Sequence, residues 1–399
     1  MTSTPLKESL KYLKSFSLLV IVFFALPALA DEPDDHGRGP IKVLTQNLYV
    51  GADILRVVDV GSVEDIPGAV AQTLQIIQQT NFPERAKAIA KEIKRAQPDL
   101  IGLQEVSTLR TQFPGDFFVG NPQQAEDVMY DYLDILLAEL KKKGLHYKVA
   151  AIVQNADVEV PAYAGTDGMG NPLFMDVRLT DHDVILARKS IKIRNSTAKH
   201  YFTNLQVPVT ENFTIDFTRG YTAVDARVRG KWYRFANTHL ELPGPPPVSL
   251  IPAAQAQELI GVLSQSPLPV VLVGDFNSSP EDQTDSTGAV PPYMQLVMSN
   301  FADTWLHRFG KPSAGYTCCQ DELLDNETSL LNMRIDHIFV RSPDGDPTVL
   351  NDAMVLANTV GDRPKDKTPS GLWPSDHAGV WARIKFFNPR ELHREKWRR

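Results

Sequence analysis

Apolar positions recur along this chain with two different periods, and each period predicts a kind of element. At Ile41-Lys42-Val43-Leu44-Thr45-Gln46-Asn47-Leu48 the β-branched residues predict a first strand. Residues 51–80 form a longer segment with a helical stretch near 69–79. Over 83–97, Ala86, Ile89, Ala90, Ile93 and Ala96 recur at helical spacing; Asn81 stands ahead as a cap and Pro98 behind as a stop. Residues 99–106 then run through Leu-Ile-Gly-Leu into Gln104-Glu105, as a buried strand does. Strand, helix, strand in that order is a βαβ-type unit.

A second helix is predicted over 126–143, with Val128, Tyr132, Ile135, Leu136 and Leu140 on one face. Residues 155–171 collect structure-breaking residues and predict a long surface loop. From Val184 onward short strands dominate. Residues 222–229 and 232–237 flank Gly230 as a hairpin, and the prolines of 243–247 make a stiff connector. A helix at 253–263 precedes a continuous apolar strand at 269–273, which runs into Gly274-Asp275. The last strands are 335–340 and 379–386. No repeat and no compositional break marks a boundary, so one α/β domain is expected over 41–386, after a polar leader at 31–40 and before a basic tail at 387–399.

Composition changes this picture at two places. The 399 residues are 43% apolar and 22% charged, which excludes a wholly disordered chain. With 41 Lys and Arg against 48 Asp and Glu, no chain-wide basic footprint for nucleic acid exists. The first thirty residues read as a secretory leader: Lys7, Lys11 and Lys14, then an apolar run at 17–26, then Ala28-Leu29-Ala30 ahead of an acidic stretch. The run is short for a membrane span. Cleavage after Ala30 removes three lysines and one glutamate, so a secreted or periplasmic chain of net charge −9 is expected, with no transmembrane segment after processing. Its two cysteines, Cys318 and Cys319, are neighbours. Adjacent Cα atoms lie about 3.8 Å apart across a trans peptide, short of the roughly 4.4–6.8 Å of an ordinary disulfide. A strained vicinal disulfide and two oxidation-prone thiols both remain open.

Candidate chemistry sits where apolar strands end. Asn47 closes the first strand and Glu105 the second; His239 follows 232–237, and Asp275 and Asn277 follow 270–273. Asp336 lies within Arg-Ile-Asp-His-Ile-Phe-Val, and Asp376-His377 precedes the final strand. Strand ends of α/β folds deliver side chains into shared pockets, and a carboxylate on a buried strand is costly unless paired or metal-bound. Singly, each has a plain structural reading: an Asx turn at Asp275, an edge histidine at His239. Together, a convergent site is expected.

In these motifs the chain resembles the endonuclease/exonuclease/phosphatase superfamily, the deoxyribonuclease I-like group. The matching segments are TQNLY with Asn47, LIGLQEV with Glu105, NTHLE with His239, GDFNSSP with Asp275 and Asn277, RIDHIFV with Asp336, and PSDH with Asp376 and His377. The resemblance implies a four-layer α/β sandwich, two packed mixed β-sheets flanked by helices. It implies a secreted metal-dependent phosphodiesterase acting by activated-water attack. Glu105, Asn47 and Asp376 would hold Mg²⁺, with Mn²⁺ as an alternative. Asp275 would activate water and Asn277 would hold that group or a phosphate oxygen. His377, oriented by Asp336, and His239 would donate to phosphate.

Abasic-site members of the superfamily carry Tyr where His239 stands. His239 resembles deoxyribonuclease I, the sphingomyelinases and the inositol polyphosphate phosphatases, but the cysteine-containing signature of the last is missing. The expected substrate is therefore a phosphodiester, either nucleic acid or a phospholipid head group; the second makes the chain a sphingomyelinase-like phospholipase C. No protein partner is implied. A non-catalytic binding protein that kept the fold is the reading from another class. His182, Asp183 and the 315–320 segment are candidates for the rim, and in the insertion between Glu105 and Asp183, with its 155–171 loop, Tyr163, Met169 and Phe174 either pack the loop down or meet a lipid or a base.

Overall fold

The computed structural model describes residues 39–210, 213–310, 315–345 and 354–386. The leader at 1–30, most of 31–40 and the tail at 387–399 lie outside the described residues. Along the chain run β1 (Ile41–Asn47), α1 (Ile66–Gln79), α2 (Phe82–Ala96), β2 (Leu100–Gln104), β3 (Thr108–Gln112), β4 (Asp127–Asp131) and α3 (Tyr132–Lys142). Next come β5 (Tyr147–Thr166), β6 (Pro172–Arg188), β7 (Lys192–His200), β8 (Leu205–Thr210), β9 (Phe213–Phe217), β10 (Gly220–Val228) and β11 (Lys231–His239). The chain continues through α4 (Leu250–Leu263), β12 (Val270–Asp275), α5 (Pro292–Met298), β13 (Ala302–Asp303) and α6 (Thr304–Phe309). It closes with β14 (Asp336–Arg341), β15 (Met354–Val360) and β16 (Gly379–Lys385).

Two mixed sheets carry the architecture. The first orders β15-β16-β1-β2-β6-β3-β4, with β5 added on β6; the second orders β13-β14-β12-β11-β10-β7; β8 and β9 form a separate hairpin. β1 and β2 pair in parallel, as a βαβ unit requires, and β11 and β12 are the parallel pair of the second sheet. Helices α1, α2 and α3 cover the outer face of the first sheet through Leu74, Ile77, Ile89, Ile93 and Leu136. α4 and α5 cover the second through Leu259, Leu263 and Leu296. Helix, sheet, sheet, helix is the expected four-layer α/β sandwich of the deoxyribonuclease I-like type.

Strand pleating assigns every second residue to the space between the sheets. Ile41 and Val43 of β1, Leu100 of β2, Tyr233 and Phe235 of β11, Val271 and Val273 of β12, and Ile338 and Val340 of β14 fill it. Gly102 lets the sheets approach: a side chain there would collide with Val273 and Asn237. Further along the same faces the residues turn polar. Gln104 donates to Asn237 (2.5 Å) and to Thr45, and Asn237 donates to the Leu103 carbonyl (3.0 Å), tying the sheets together above the apolar core. One step further on these faces stand Asn47, His239, Asp275 and Asp336.

α2 bears out its spacing, with Ala86, Ile89, Ala90 and Ile93 buried, Glu84 in the first turn and Lys94 and Arg95 in the last. Asn81 holds the N-cap position without a side-chain capping bond. Two expectations are corrected. Residues 155–171 are not a loop: β5 runs to Thr166 and pairs with β6 from Tyr147↔Arg188 to Thr166↔Pro172, leaving only a tight turn held by Asp167. The helix expected from 126 begins at Tyr132, because 127–131 pair with β3 and the Asp131 side chain caps α3 by accepting from the Asp134 amide. Among the described residues no helix is long and apolar enough to cross a membrane.

Candidate active site

The ends of β1, β2, β11, β12 and β14, with the loop before β16, open into one cleft of about 780 Å³. Glu105, His239, Asp275, Asn277, Asp376 and His377 all line it. Asn47 sits beneath, fully buried, and donates from Nδ2 to Glu105 Oε1 (3.0 Å) and Asp275 Oδ2 (3.1 Å). Glu105 occupies the break between β2 and β3, both of which pair with β6; its left-handed backbone (φ 52°) turns its side chain out of the ladder. Its other oxygen accepts from the Val50 amide (2.8 Å).

Asp275 is held at both oxygens, by Asn47 and by the Asn277 amide (2.9 Å). Gly274 before it is obligatory, since a Cβ would strike the Thr238 carbonyl. Burial, reinforced by the neighbouring Asp336 carboxylate, pushes Asp275 up to about 7. Asp336 faces it across the β12–β14 register and takes His377 Nδ1 at 2.8 Å; that same nitrogen lies 3.8 Å from Asp275. Burial works against a charged His377 ring, but Asp336, Asp376 and Asp275 together outweigh it and hold its pKa well above the ordinary value.

His239 is the opposite case. Burial first, then the Arg219 and His377 cations, push it well below its ordinary value, so its ring is neutral. Arg219 Nη1 lies 3.1 Å from His239 Nδ1. On the other side of the ring, Nε2 lies 3.3 Å from Asn277 Nδ2 and 3.6 Å from Asp275 Oδ2, so donors face both ring nitrogens. Arg219 is fixed by Glu241, whose carboxylate meets its Nε and Nη2 at 3.3 and 3.2 Å. Asn277 donates to the Leu240 carbonyl (2.9 Å), closing the corner.

The structure thus brings together all eight residues expected at the site. Sequence reasoning missed Arg219, Glu241 and Arg85. Arg85 is fully buried and donates to the carbonyls of Leu48, Tyr49, Thr80 and Pro374, clamping the loops behind Asn47 and before Asp376. Its signal was present: it lies four residues before Ile89 on the apolar stripe of α2. Arg219 and Glu241 are 22 residues apart and gave none. His182 and Asp183 do not line the cleft, whereas Asp181 does. Burial pushes Asp181 up to about 7. Phe174 packs against Phe118 and Tyr163, and none of the three lines the cleft. Cys318, Cys319 and Gln320 do line it.

A model of the Endonuclease/Exonuclease/phosphatase family matches residues 45–377. The chain belongs to that family. It is therefore a phosphoesterase of the endonuclease/exonuclease/phosphatase superfamily. Solved structures share its fold: a mannosyl-6-phosphatase from Bacteroides thetaiotaomicron (TM-score 0.50, 18% identity, covering 87% of this chain and 100% of that one). Also found similar are an endonuclease/exonuclease/phosphatase family protein from Leptotrichia buccalis (TM-score 0.48, 16% identity, covering 87% of this chain and 100% of that one) and truncated TDP2 from Caenorhabditis elegans (0.46, 17%, 87% and 98%). No curated protein matches the chain.

Members of the family are typically metal-dependent, and the donor set here suits a hard cation. Glu105 and Asp376 offer carboxylate oxygens to the cleft, while Asn47 turns Nδ2 to Glu105 and its Oδ1 accepts from the Tyr49 amide (2.9 Å). Burial pushes Asp376 up to about 6, the Glu105 carboxylate adding to it while His377 and Arg85 oppose. Two mutually repelling carboxylates in one cleft suit a hard divalent cation, which oxygen donors hold.

Proposed function

We propose that this chain is an exported, Mg²⁺-dependent phosphodiesterase, with Mn²⁺ as an alternative metal. The observation that carries the reading is the pairing, within one cleft, of a carboxyl poised near neutrality, Asp275, with a cationic donor, His377, oriented by Asp336. Glu105 and Asp376 would hold the metal, with Asn47 beside them bracing Glu105, and the metal's chemistry is charge neutralisation on the phosphoryl group.

The remaining work falls to the chain's own groups. Asp275, ionised above about pH 7, accepts the proton of the attacking water, while the Asn277 amide and the Asn47 side chain fix its direction. His377, bonded to Asp336 through Nδ1, presents Nε2–H to a phosphoryl oxygen. The neutral His239 ring, held between Arg219 and Asn277, stands beside it as a second polar group toward the phosphoryl oxygens. Both act where charge develops in the transition state.

The test is hydrolysis of bis-p-nitrophenyl phosphate and of p-nitrophenyl phosphate by the purified chain, with Mg²⁺ and with EDTA. The reading expects the diester to turn over faster and EDTA to stop it; no Mg²⁺-dependent turnover of either overturns it. A second reading, cleavage at a phospholipid head group, draws on the aliphatic walls of the cleft, among them Leu55, Leu74, Ile77, Val160 and Leu179. Phosphocholine release from sphingomyelin vesicles, without cleavage of DNA or RNA, selects it. Export rests on the leader, and a secreted product beginning at Asp31 supports it.

A further inference from the structure

Cys318 and Cys319 are joined as a vicinal disulfide, and the segment around them is stitched to both halves of the catalytic pair. On one side, Thr317 Oγ1 accepts from the amides of Ile335 and Asp336, both at 3.1 Å. The Thr317 carbonyl accepts from the Ala378 amide (2.7 Å), next to His377. On the other side, the Gln320 amide donates to the Asp376 carbonyl (2.9 Å). Cys318 itself pairs with Met333, three residues before Asp336. The two sulfurs and a ring nitrogen of His377 lie within 4.8 Å of one another.

We propose that the Cys318–Cys319 bond is a modification site, taking dithiol reductants, through which the positions of Asp336 and His377 are set, with the disulfide as the competent form. This rests on the roles assigned above to those two residues. A disulfide needs its Cβ atoms roughly 3.5–4.5 Å apart, a separation that two free thiols can leave. The bond therefore holds 318–319 in a local shape that two thiols do not require. Each neighbour of the pair, Thr317 and Gln320, is a positioning residue bonded directly to the catalytic loops. Cys318 is buried, but Cys319 is half-buried and lines the cleft, so a small dithiol reaches the bond from the substrate side.

The exchange balances. A thiolate of the reductant attacks one cysteine sulfur, the Cys318–Cys319 bond breaks, and the departing thiolate takes a proton. The reductant's second thiol then attacks the mixed disulfide, closing the reductant's own disulfide and freeing the other cysteine as a thiol. The protein gains two electrons and two protons, and the reductant loses them.

The experiment compares the full purified chain before reduction with dithiothreitol, after it, and after reoxidation, with thiol titration confirming each state. Reduction is expected to lower kcat on bis-p-nitrophenyl phosphate about tenfold to a hundredfold, the scale of a ~1 Å misplacement, with KM little changed. Reoxidation restores the rate. The double variant Cys318→Ser with Cys319→Ser stays near the reduced rate in all three states while unfolding at a similar temperature. A fully reduced wild type that turns over at the oxidised rate overturns the proposal. Should no form hydrolyse any phosphoester, the proposed function fails on its own. The NMR resonance of the His377 Nδ1 proton, bonded to Asp336, then decides this proposal: a shift or loss on reduction supports it, and an unchanged signal overturns it.

Discussion

Asp336-His337 and Asp376-His377 are the same dipeptide in two settings, and their histidines have opposite fates. His377 meets the Asp336 carboxylate at 2.8 Å and is held charged in the cleft. His337, one residue from that carboxylate, points to the other face of β14, among Phe276, Tyr293 and Phe339. Its Nε2 donates to the Ser278 carbonyl (2.8 Å) and its Nδ1 faces Arg334 (3.0 Å). Burial, with Arg334 next, pushes it down to about 3. The strand period sets the fate of His337: Asp336 shares the inner face with Ile338 and Val340, and His337 the outer face with Phe339, while His377 reaches the cleft from the loop before β16. A titratable residue in a motif acquires its function from the face it occupies.

The largest effect that sharpens the contrast belongs to Asp275, which touches only the His377 side. Asp275→Asn is expected to lower kcat/KM about 10³-fold, within the range of a lost general base. The same change should raise stability at pH 8. In the folded chain this carboxyl keeps its proton to about pH 7, but unfolded it loses it near its ordinary 3.8. Between those values the folded state binds more protons, so stability falls as pH rises. Thermal unfolding from pH 4 to 8 should show that fall in wild type and a smaller one in the variant.

Asp336→Asn comes next. Of the groups that hold His377 charged, Asp336 is foremost. Its loss should cost about 10²-fold in kcat and move the alkaline limb of the pH–rate profile down. In wild type that profile should rise through about pH 7, as Asp275 ionises, and fall only well above the ordinary histidine value, as His377 loses its proton. Arg219→Gln should have the smallest of these effects, about tenfold in kcat, by loosening the His239 ring while leaving the profile's limbs in place.

Much of this site was legible because strand ends are legible. The apolar alternation of 41–47, 233–239 and 271–275 runs straight into Asn47, His239 and Asp275, so the residues that fill the core also point to the residues above it. The β5–β6 arm was not legible, for a physical reason. Among the described residues β5 pairs only with β6, and it exposes much of its length, so its buried positions are diluted by Asp157, Glu159 and Tyr163. Register shifts at 154/156 and 163/165 accommodate the residues that looked like breakers. Cross-strand Arg178–Asp157 pairing, with contacts of 2.7 and 2.6 Å, is visible only after the strands are aligned. Arg219 and Glu241 were hidden in the same way, since their meeting depends on tertiary packing.

The most direct measurement is kcat/KM on bis-p-nitrophenyl phosphate with Mg²⁺ for His377→Gln and His337→Gln, side by side with their unfolding temperatures. The account predicts a loss of about 10²–10⁴-fold for His377→Gln in a protein that unfolds near the wild-type temperature. For His337→Gln it predicts lowered stability with a rate within a fewfold of wild type, since its ring reaches only Ser278, Arg334 and the aromatic cluster. Equal losses in the two variants, or a His377→Gln enzyme with near-normal turnover, would contradict it.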